Sequence, residues 1–286
     1  EPKPSDGLRR SIVAPPGHVL VVVDSAQIEA RTNAWLHDQT DLVNLFAAGE
    51  DVYSHMAADI YGVPRTKVTE EQRFVGKVAT LGLGYSMGAT KFQTTLALGI
   101  MGPPVELDAL TCQRIVNLYR GRNRRITMGW DYCRNILGRM ARGQAGRMYN
   151  GLLEFEPNTI WLPNGLPMRY PGLTQTENGE FRFKSHGVWK KIYGGLLVEN
   201  IVQALARCIV MEQILDWHHW NKALKLRKNE LAKICMTTHD EGVNCVPERL
   251  AEKALTEGLM LFRTAPSWAE GLPLDAEGSY DSRYSK

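Results

Sequence analysis

The chain has 286 residues, 44% hydrophobic and 23% charged, proportions of a globular protein with room for one large domain or two modest ones. Its longest apolar run, residues 19–23, is far too short to span a bilayer. Residues 1–6 lack the basic-then-apolar layout of a secretory leader, and five scattered cysteines without a CxxC pair argue against structural zinc or a disulfide framework. A reducing, cytoplasmic setting is expected, with no membrane partner. Net charge is only +3, but residues 111–150 hold nine arginines against one acid, Asp131. That block is +8 and the remainder −5. A solvated helical face normally mixes both signs; a basic surface beside an acidic remainder suits a polyanion-binding protein with a metal site.

In chain order, residues 18–23 form a buried, β-branched strand that ends at Asp24. Residues 27–36, 40–48 and 51–61 read as helices, the last stopped by Gly62-Val63-Pro64. Thr69-Glu70-Glu71-Gln72 is a capping-box pattern opening a helix that runs to about Tyr85. Residues 108–148 read as mostly helical, and 160–170 as a hairpin with an Asn164-Gly165 turn, held to a sheet edge by its prolines. Residues 196–215 make a long helix with a broad apolar face. Two short strands, 233–238 and 243–246, flank His239-Asp240-Glu241-Gly242; a helix over 247–264 and a polar, irregular C-terminus complete the chain. This order implies an α+β protein whose small sheet joins distant segments.

Two carboxylates sit where metal chemistry would place them. Asp24 ends a buried strand and Asp240 lies in a tight turn, rigid supports for the oxygen ligands that magnesium requires. Two such ions can hold the attacking and leaving oxygens of an in-line phosphoryl displacement. The plainer readings are a helix N-cap for Asp24 and an ordinary polar turn for His239-Asp240-Glu241. On the helix from Thr69, Arg73, Lys77, Leu81 and Tyr85 recur every four residues and share one face. Its cationic end suits a triphosphate and its apolar end a base, against the plainer reading of a core helix with snorkelling cations. Gly82 and Gly84, unfavourable within a helix, suggest close approach of a ligand.

Together these pieces resemble one family. Val23-Asp24-Ser25-Ala26-Gln27-Ile28-Glu29-Ala30-Arg31 is similar to the first catalytic motif of family A (polymerase I-like) DNA polymerases, Asp-Tyr-Ser-Gln-Ile-Glu-Leu-Arg. Arg73-x3-Lys77-x3-Leu81-Gly82-x2-Tyr85 resembles their fingers-helix motif, and Thr238-His239-Asp240-Glu241 their last motif. The stretches 8–15 and 49–53 match as well, so the resemblance covers nearly the whole chain. Leu162-Pro163-Asn164-Gly165 leans it towards phage or prophage members.

The resemblance implies an α+β fold with a polymerase palm and helical fingers: palm over 1–39 and 191–286, fingers over 40–190. It implies template-directed joining of dNTPs to a primer 3′-hydroxyl on primer–template DNA. Two magnesium ions, for which manganese can stand in, would be held by Asp24, Asp240 and the Ser25 carbonyl, with Glu241 in support. Glu29 would exclude a ribose 2′-hydroxyl, and Gln27 and Tyr53 would border the nucleotide. Arg73 and Lys77 would hold the triphosphate, Lys77 also protonating the departing pyrophosphate. Leu81 would pack on base or sugar, Tyr85 would border the insertion site, and His239 would meet the primer-terminal phosphate. Glu199, Asn200 and Gln203 would face the template minor groove.

The sequence departs from the family at several points. Leu81 replaces an aromatic, Ser25-Ala26 replace Tyr-Ser, and Ser86 replaces a glycine. Tyr53 stands where many members have a histidine, for which His55 is the nearest substitute. The family's thumb and exonuclease are absent from this chain, so an N-terminal region or a processivity partner is expected to supply the missing grip. The alternative is a non-catalytic DNA-binding fragment that needs such a thumb. A single-subunit RNA polymerase would not need Glu29, and an unrelated phosphohydrolase would leave the Arg73–Tyr85 stripe unexplained.

Overall fold

The computed structural model describes residues 4–284, with side chains from residue 7; the leader reading of residues 1–6 lies outside those side chains. Helix α1 (Pro4–Arg10) precedes strand β1 (His18–Ser25). Helices α2 (Ile28–Leu36), α3 (Thr40–Ala47), α4 (Val52–Tyr61), α5 (Glu70–Leu83), α6 (Ala89–Ala97), α7 (Ala109–Arg122) and α8 (Arg124–Ala141) follow. Seven short strands come next: β2 (Gly146–Met148), β3 (Leu153–Glu156), β4 (Thr159–Trp161), β5 (Pro167–Arg169), β6 (Thr174–Gln175), β7 (Phe181–Ser185) and β8 (Val188–Ile192). Helix α9 (Gly194–Ala223), β9 (Lys233–Thr238), β10 (Glu241–Pro247), α10 (Ala251–Phe262) and β11 (Ala276–Asp281) close the chain. It forms two compact units, Glu1–Ile28 with Ala206–Lys286, and Glu29–Leu205.

The first unit is built on an antiparallel sheet in the order β11-β1-β10-β9. Strand β1 lies in the interior of that sheet, and Val19 to Val23 are all buried. Alternation sends Val21 and Val23 to one face, and Leu20, Val22 and Asp24 to the other. Leu20, Val22, Val243, Cys245 and Tyr284 form a core cluster on that second face. On the opposite side Gly258 of α10 permits close packing: a Cβ there would lie 2.6 Å from Trp217 and 2.9 Å from Val23. Trp217 meets Phe262 edge-on at 5.9 Å. Buried in this core, Asn221 and Asn244 exchange amide hydrogen bonds of 2.9 and 3.0 Å.

One expectation is overturned here. The C-terminus is not irregular, because β11 pairs with β1 from Ser25↔Ala276 to Leu20↔Asp281. Five of its six residues are exposed, so no apolar alternation marks it. Backbone pairing with β1 holds it.

The second unit is mainly helical. Thr69 and Gln72 form both arms of the capping box at 3.2 and 3.1 Å. Asp51 caps α4, and Gly62 ends it in the left-handed region at φ 66°. A Cβ on Gly76 would lie 2.3 Å from the Tyr53 carbonyl and 2.9 Å from Ala57 N, so α4 and α5 touch backbone to backbone. The helices break between α7 and α8 at Asn123, whose side chain bonds the Tyr119 carbonyl at 3.0 Å. Val75, Val78, Leu83, Phe92, Ile115 and Tyr119 belong to one buried cluster.

Residues 146–192 hold two small antiparallel sheets, β2-β3-β4-β5 and β6-β7-β8; of these, only residues 146–148 fall in the stretch 108–148 expected to be mostly helical. The Asn164-Gly165 hairpin is present, with Gly165 at φ 78° and Pro167 opening the edge strand β5. Helix α9 has 30 residues and is long and apolar enough to cross a membrane; 61% of its most apolar stretch is buried within the protein.

Candidate active site

Asp24 and Asp240 meet at one corner of the first unit's sheet. Strands β1 and β10 pair so that Asp24 faces Glu241, and the Ser25 N–H donates to the Asp240 carbonyl at 3.0 Å. Asp24 lies within β1, four residues before α2 begins at Ile28, so it does not cap that helix. His239 and Asp240 form a two-residue turn between the paired Thr238 and Glu241. His239 takes φ 52°, a left-handed conformation costing on the order of 1 kcal/mol, and the Arg207 guanidinium donates to its carbonyl at 3.0 Å. Glu241 is buried at 3% exposure and accepts the Tyr284 hydroxyl. Burial, then the Glu241 carboxylate, raise that hydroxyl above its ordinary pKa.

Carboxylates facing one another across an antiparallel pair repel, and a cation relieves that repulsion. Asp24 and Asp240 are hard oxygen donors on rigid strand ends, the type magnesium takes at phosphate sites, where water and substrate complete its shell. Among the described residues no three acidic, His or Cys side chains converge into a ready-made metal cage. The donor set fits a phosphate-associated ion.

The second unit carries the α5 stripe. Arg73 is not a loose surface cation. Its Nε and Nη2 donate to the two Asp51 carboxylate oxygens at 2.6 and 3.2 Å, and its guanidinium lies 5.4 Å from the Tyr53 ring centroid. Burial raises the Asp51 carboxyl, but the hydrogen bonds from Arg73 and Ser54 outweigh it and hold it below the ordinary value. Lys77 makes no hydrogen bond or ion pair among the described residues, leaving its ammonium available. Leu81 packs against the small cluster of Phe46, Val52 and Tyr53. His55 is engaged with Glu50 and Arg65, which draws it away from a phosphate-binding role.

Tyr85 follows the end of α5 and hydrogen-bonds Glu29; burial, then the Glu29 carboxylate, push its hydroxyl well above the usual value. Glu199 adds to that upward shift. Asn200 donates to the Tyr170 hydroxyl at 3.2 Å, and Gln203 is exposed. Gln27 precedes α2 at φ 54°. Gly195 opens α9 against the Tyr85 turn, since a Cβ there would lie 2.8 Å from the Tyr85 carbonyl. The expectation that Gly84 makes room for a ligand is corrected: a Cβ there would meet the Asn33 side chain at 2.9 Å and the Tyr119 hydroxyl at 3.3 Å. Gly82 is faced by Met87 at 3.1 Å. Gly84 serves the protein's own packing, whereas the atoms facing Gly82 are the flexible end of the Met87 side chain.

Sequence reasoning missed Asp51, Arg207, Tyr284 and Gly195. Asp51 alone had a local signal, as an acid directly before a helix. Seven arginines of the 111–150 block are exposed, namely Arg114, Arg122, Arg124, Arg125, Arg134, Arg142 and Arg147, although Arg122 is paired with Asp59 and Arg147 with Glu154.

The first unit thus carries two aspartates at the corner of a small antiparallel sheet, and the second, helical unit carries an Arg–Lys stripe. Residues 3–136 match the family model described as DNA polymerase family A. A DNA polymerase of Bacillus phage SP02 is 31% identical over 297 aligned positions, covering 98% of this chain and 43% of the phage protein. The thermostable DNA polymerase I of Thermus aquaticus is 34% identical over 91 residues, 32% of this chain and 11% of that protein. Among solved structures, the POL domain of Pol1 from M. smegmatis, in complex with DNA primer-template and dNTP, superposes with a TM-score of 0.64. Sequence identity there is 20%, with 96% of this chain and 42% of that chain covered. The chain belongs to DNA polymerase family A, and it spans less than half the length of the phage polymerase it matches.

Proposed function

We propose that this chain carries the nucleotidyl-transfer centre of a template-directed DNA polymerase, extending a primer 3′-hydroxyl with dNTPs. The observation that carries this reading is the pairing of β1 with β10, which sets Asp24 beside the His239-Asp240-Glu241 turn. Asp24 and Asp240, with the Ser25 carbonyl, would hold magnesium, or manganese in its place. When bound, such ions supply charge neutralisation for the attacking and leaving oxygens of in-line displacement.

The chain's own residues supply the rest. Arg73, oriented by Asp51, and Lys77 bind the triphosphate oxygens. Lys77 also carries the proton that the departing pyrophosphate takes. Glu29, held by the Tyr85 hydroxyl, fills the volume that a 2′-hydroxyl would need, and the tie to Tyr85 limits its escape. Leu81 supplies apolar bulk to base or sugar. Tyr85 borders the insertion site, with Gln27 and Tyr53 beside the nucleotide. Tyr284 fixes Glu241 as support for the aspartate corner. His239 meets the primer-terminal phosphate, and Glu199, Asn200 and Gln203 meet the template minor groove. The site of action is the cytoplasm of a bacterial or phage-infected cell.

The test is single-nucleotide insertion on four primer–templates that differ only in the templating base, with magnesium at low salt. The proposal expects the inserted dNTP to follow the template and EDTA to stop the reaction. Insertion that ignores the template, or none with any upstream region of the natural protein restored, would refute it.

A further inference from the structure

The sheet β6-β7-β8 carries side chains that nucleotidyl transfer does not use. Across β7 and β8, Lys184 pairs with Trp189 and Arg182 with Lys191, so these four share one face. The opposite face carries Phe181 and Ile192, both buried, and Phe183, which meets Tyr170 edge-on at 5.2 Å. That face packs inward. All four residues of the first face are exposed, Trp189 at 43%.

The Arg182 guanidinium lies 4.5 Å from the Trp189 ring centroid and the Lys184 ammonium 5.2 Å. Residues 181–193 contain four cations, Arg182, Lys184, Lys190 and Lys191, and no acid. Lys191 is paired with Glu180; the other three form no ion pair among the described residues.

A structural cation–π contact needs one cation. Two unneutralised cations, Arg182 and Lys184, against one exposed indole repel each other, and a chain of phosphates relieves that repulsion. The indole face selects further, since a duplex hides its base faces within the stack, whereas an unpaired base can lie on an aromatic ring.

We propose that the outer face of the β7–β8 hairpin binds single-stranded DNA. Trp189 stacks on a base, and Arg182 and Lys184 contact the flanking phosphates. Naming this strand as the unpaired template rests on the polymerase reading; single-strand binding itself does not.

The test uses fluorescence anisotropy with the full chain, a labelled 12-nucleotide oligo-dT and a 12-base-pair duplex. Trp189→Ala should weaken oligo-dT binding about tenfold, one base's worth of stacking, and leave duplex binding within about twofold. Arg182→Gln with Lys184→Gln should lower the slope of log affinity against log salt by about 1.4, from about 0.7 per single-strand phosphate contact. Oligo-dT binding within twofold of wild type in both variants would overturn the inference. So would equal losses for oligo-dT and duplex, which would make the hairpin a general cationic patch. Primer extension on a template with a one-nucleotide overhang separates the two readings. Normal extension with hairpin-independent oligo-dT binding sinks this inference alone, whereas hairpin-dependent binding without any extension sinks only the polymerase reading.

Discussion

Asp51 performs two tasks, and two substitutions separate them. Its carboxylate caps α4, accepting from Tyr53 N at 3.2 Å and from the Ser54 hydroxyl at 2.6 Å. The same carboxylate takes the two-pronged bond from Arg73. The two side chains are 38% and 37% exposed, so solvent screening limits the ion pair to about 0.2–1 kcal/mol. The cap contributes about 1 kcal/mol. Asp51→Ala should therefore cost about 1.2–2 kcal/mol, whereas Asp51→Asn caps as well as aspartate and should cost at most about 1 kcal/mol.

Of the five guanidinium N–H groups of arginine, two are committed to Asp51, and that commitment aims the remaining donors. Freeing Arg73 should raise the KM for dNTP about fivefold in both variants, equivalent to about 1 kcal/mol of lost orientation. Urea unfolding at pH 7 and steady-state insertion kinetics read the two effects separately. Equal destabilisation by Asn and Ala would refute the cap, and an unchanged KM in Asp51→Asn would refute the orienting role. Because the Asp51 carboxyl is depressed in the folded state, its contribution is present above the ordinary carboxylate pKa and lost as pH falls through the folded value. The stability gap between wild type and Asp51→Asn should then close below roughly pH 4.

Further outcomes follow from the same geometry. Burial lowers the His37 pKa to about 4, against smaller upward pulls from the Asn33 carbonyl and Asp38. The unfolded chain therefore binds the proton first; His37's contribution is complete above about pH 6.5 and lost as pH falls to about 4, on the order of 3 kcal/mol, and urea titrations of His37→Gln should show a flatter slope in that window. Gly76→Ala drives a methyl to 2.3 Å from the Tyr53 carbonyl and should cost about 1–3 kcal/mol or more by thermal unfolding; a loss under about 0.5 kcal/mol would mean that α4 and α5 separate freely. Glu29→Ala should narrow the preference for dNTPs over ribonucleotides by at least about tenfold, and an unchanged ratio would remove Glu29 from sugar selection.

Much of the fold was legible because local signals agreed with the tertiary outcome. The Val-rich run ending at Asp24, the capping box at Thr69 and the turn at His239-Asp240 each announce their element without help from the rest of the chain. Strand β11 announces nothing. Its exposed Glu277, Gly278, Ser279 and Tyr280 lie on a sheet edge, and only the available edge of β1 makes them a strand. Strands β2–β8 have two to five residues each, too short for a period-two pattern to separate from loop.

In the candidate site, spacing revealed the α5 stripe but not what supports it. Asp51 lies 22 residues before Arg73, and Tyr284 lies 43 residues after Glu241, so their partnerships exist only after folding. Gly84 misled for a related reason: the atoms that crowd it come from Asn33 and Tyr119, which sequence spacing does not bring near.

The central claim is that Asp24 and Asp240 act in chemistry rather than in holding the sheet corner together. Single-turnover primer extension by Asp24→Asn and Asp240→Asn, at protein concentrations that saturate the primer–template, tests it most directly. Unfolding midpoints should be unchanged, DNA affinity should stay within about twofold, and extension rates should fall at least about a hundredfold, the scale of removing a group that stabilises developing charge. Rates near wild type in either variant would contradict it.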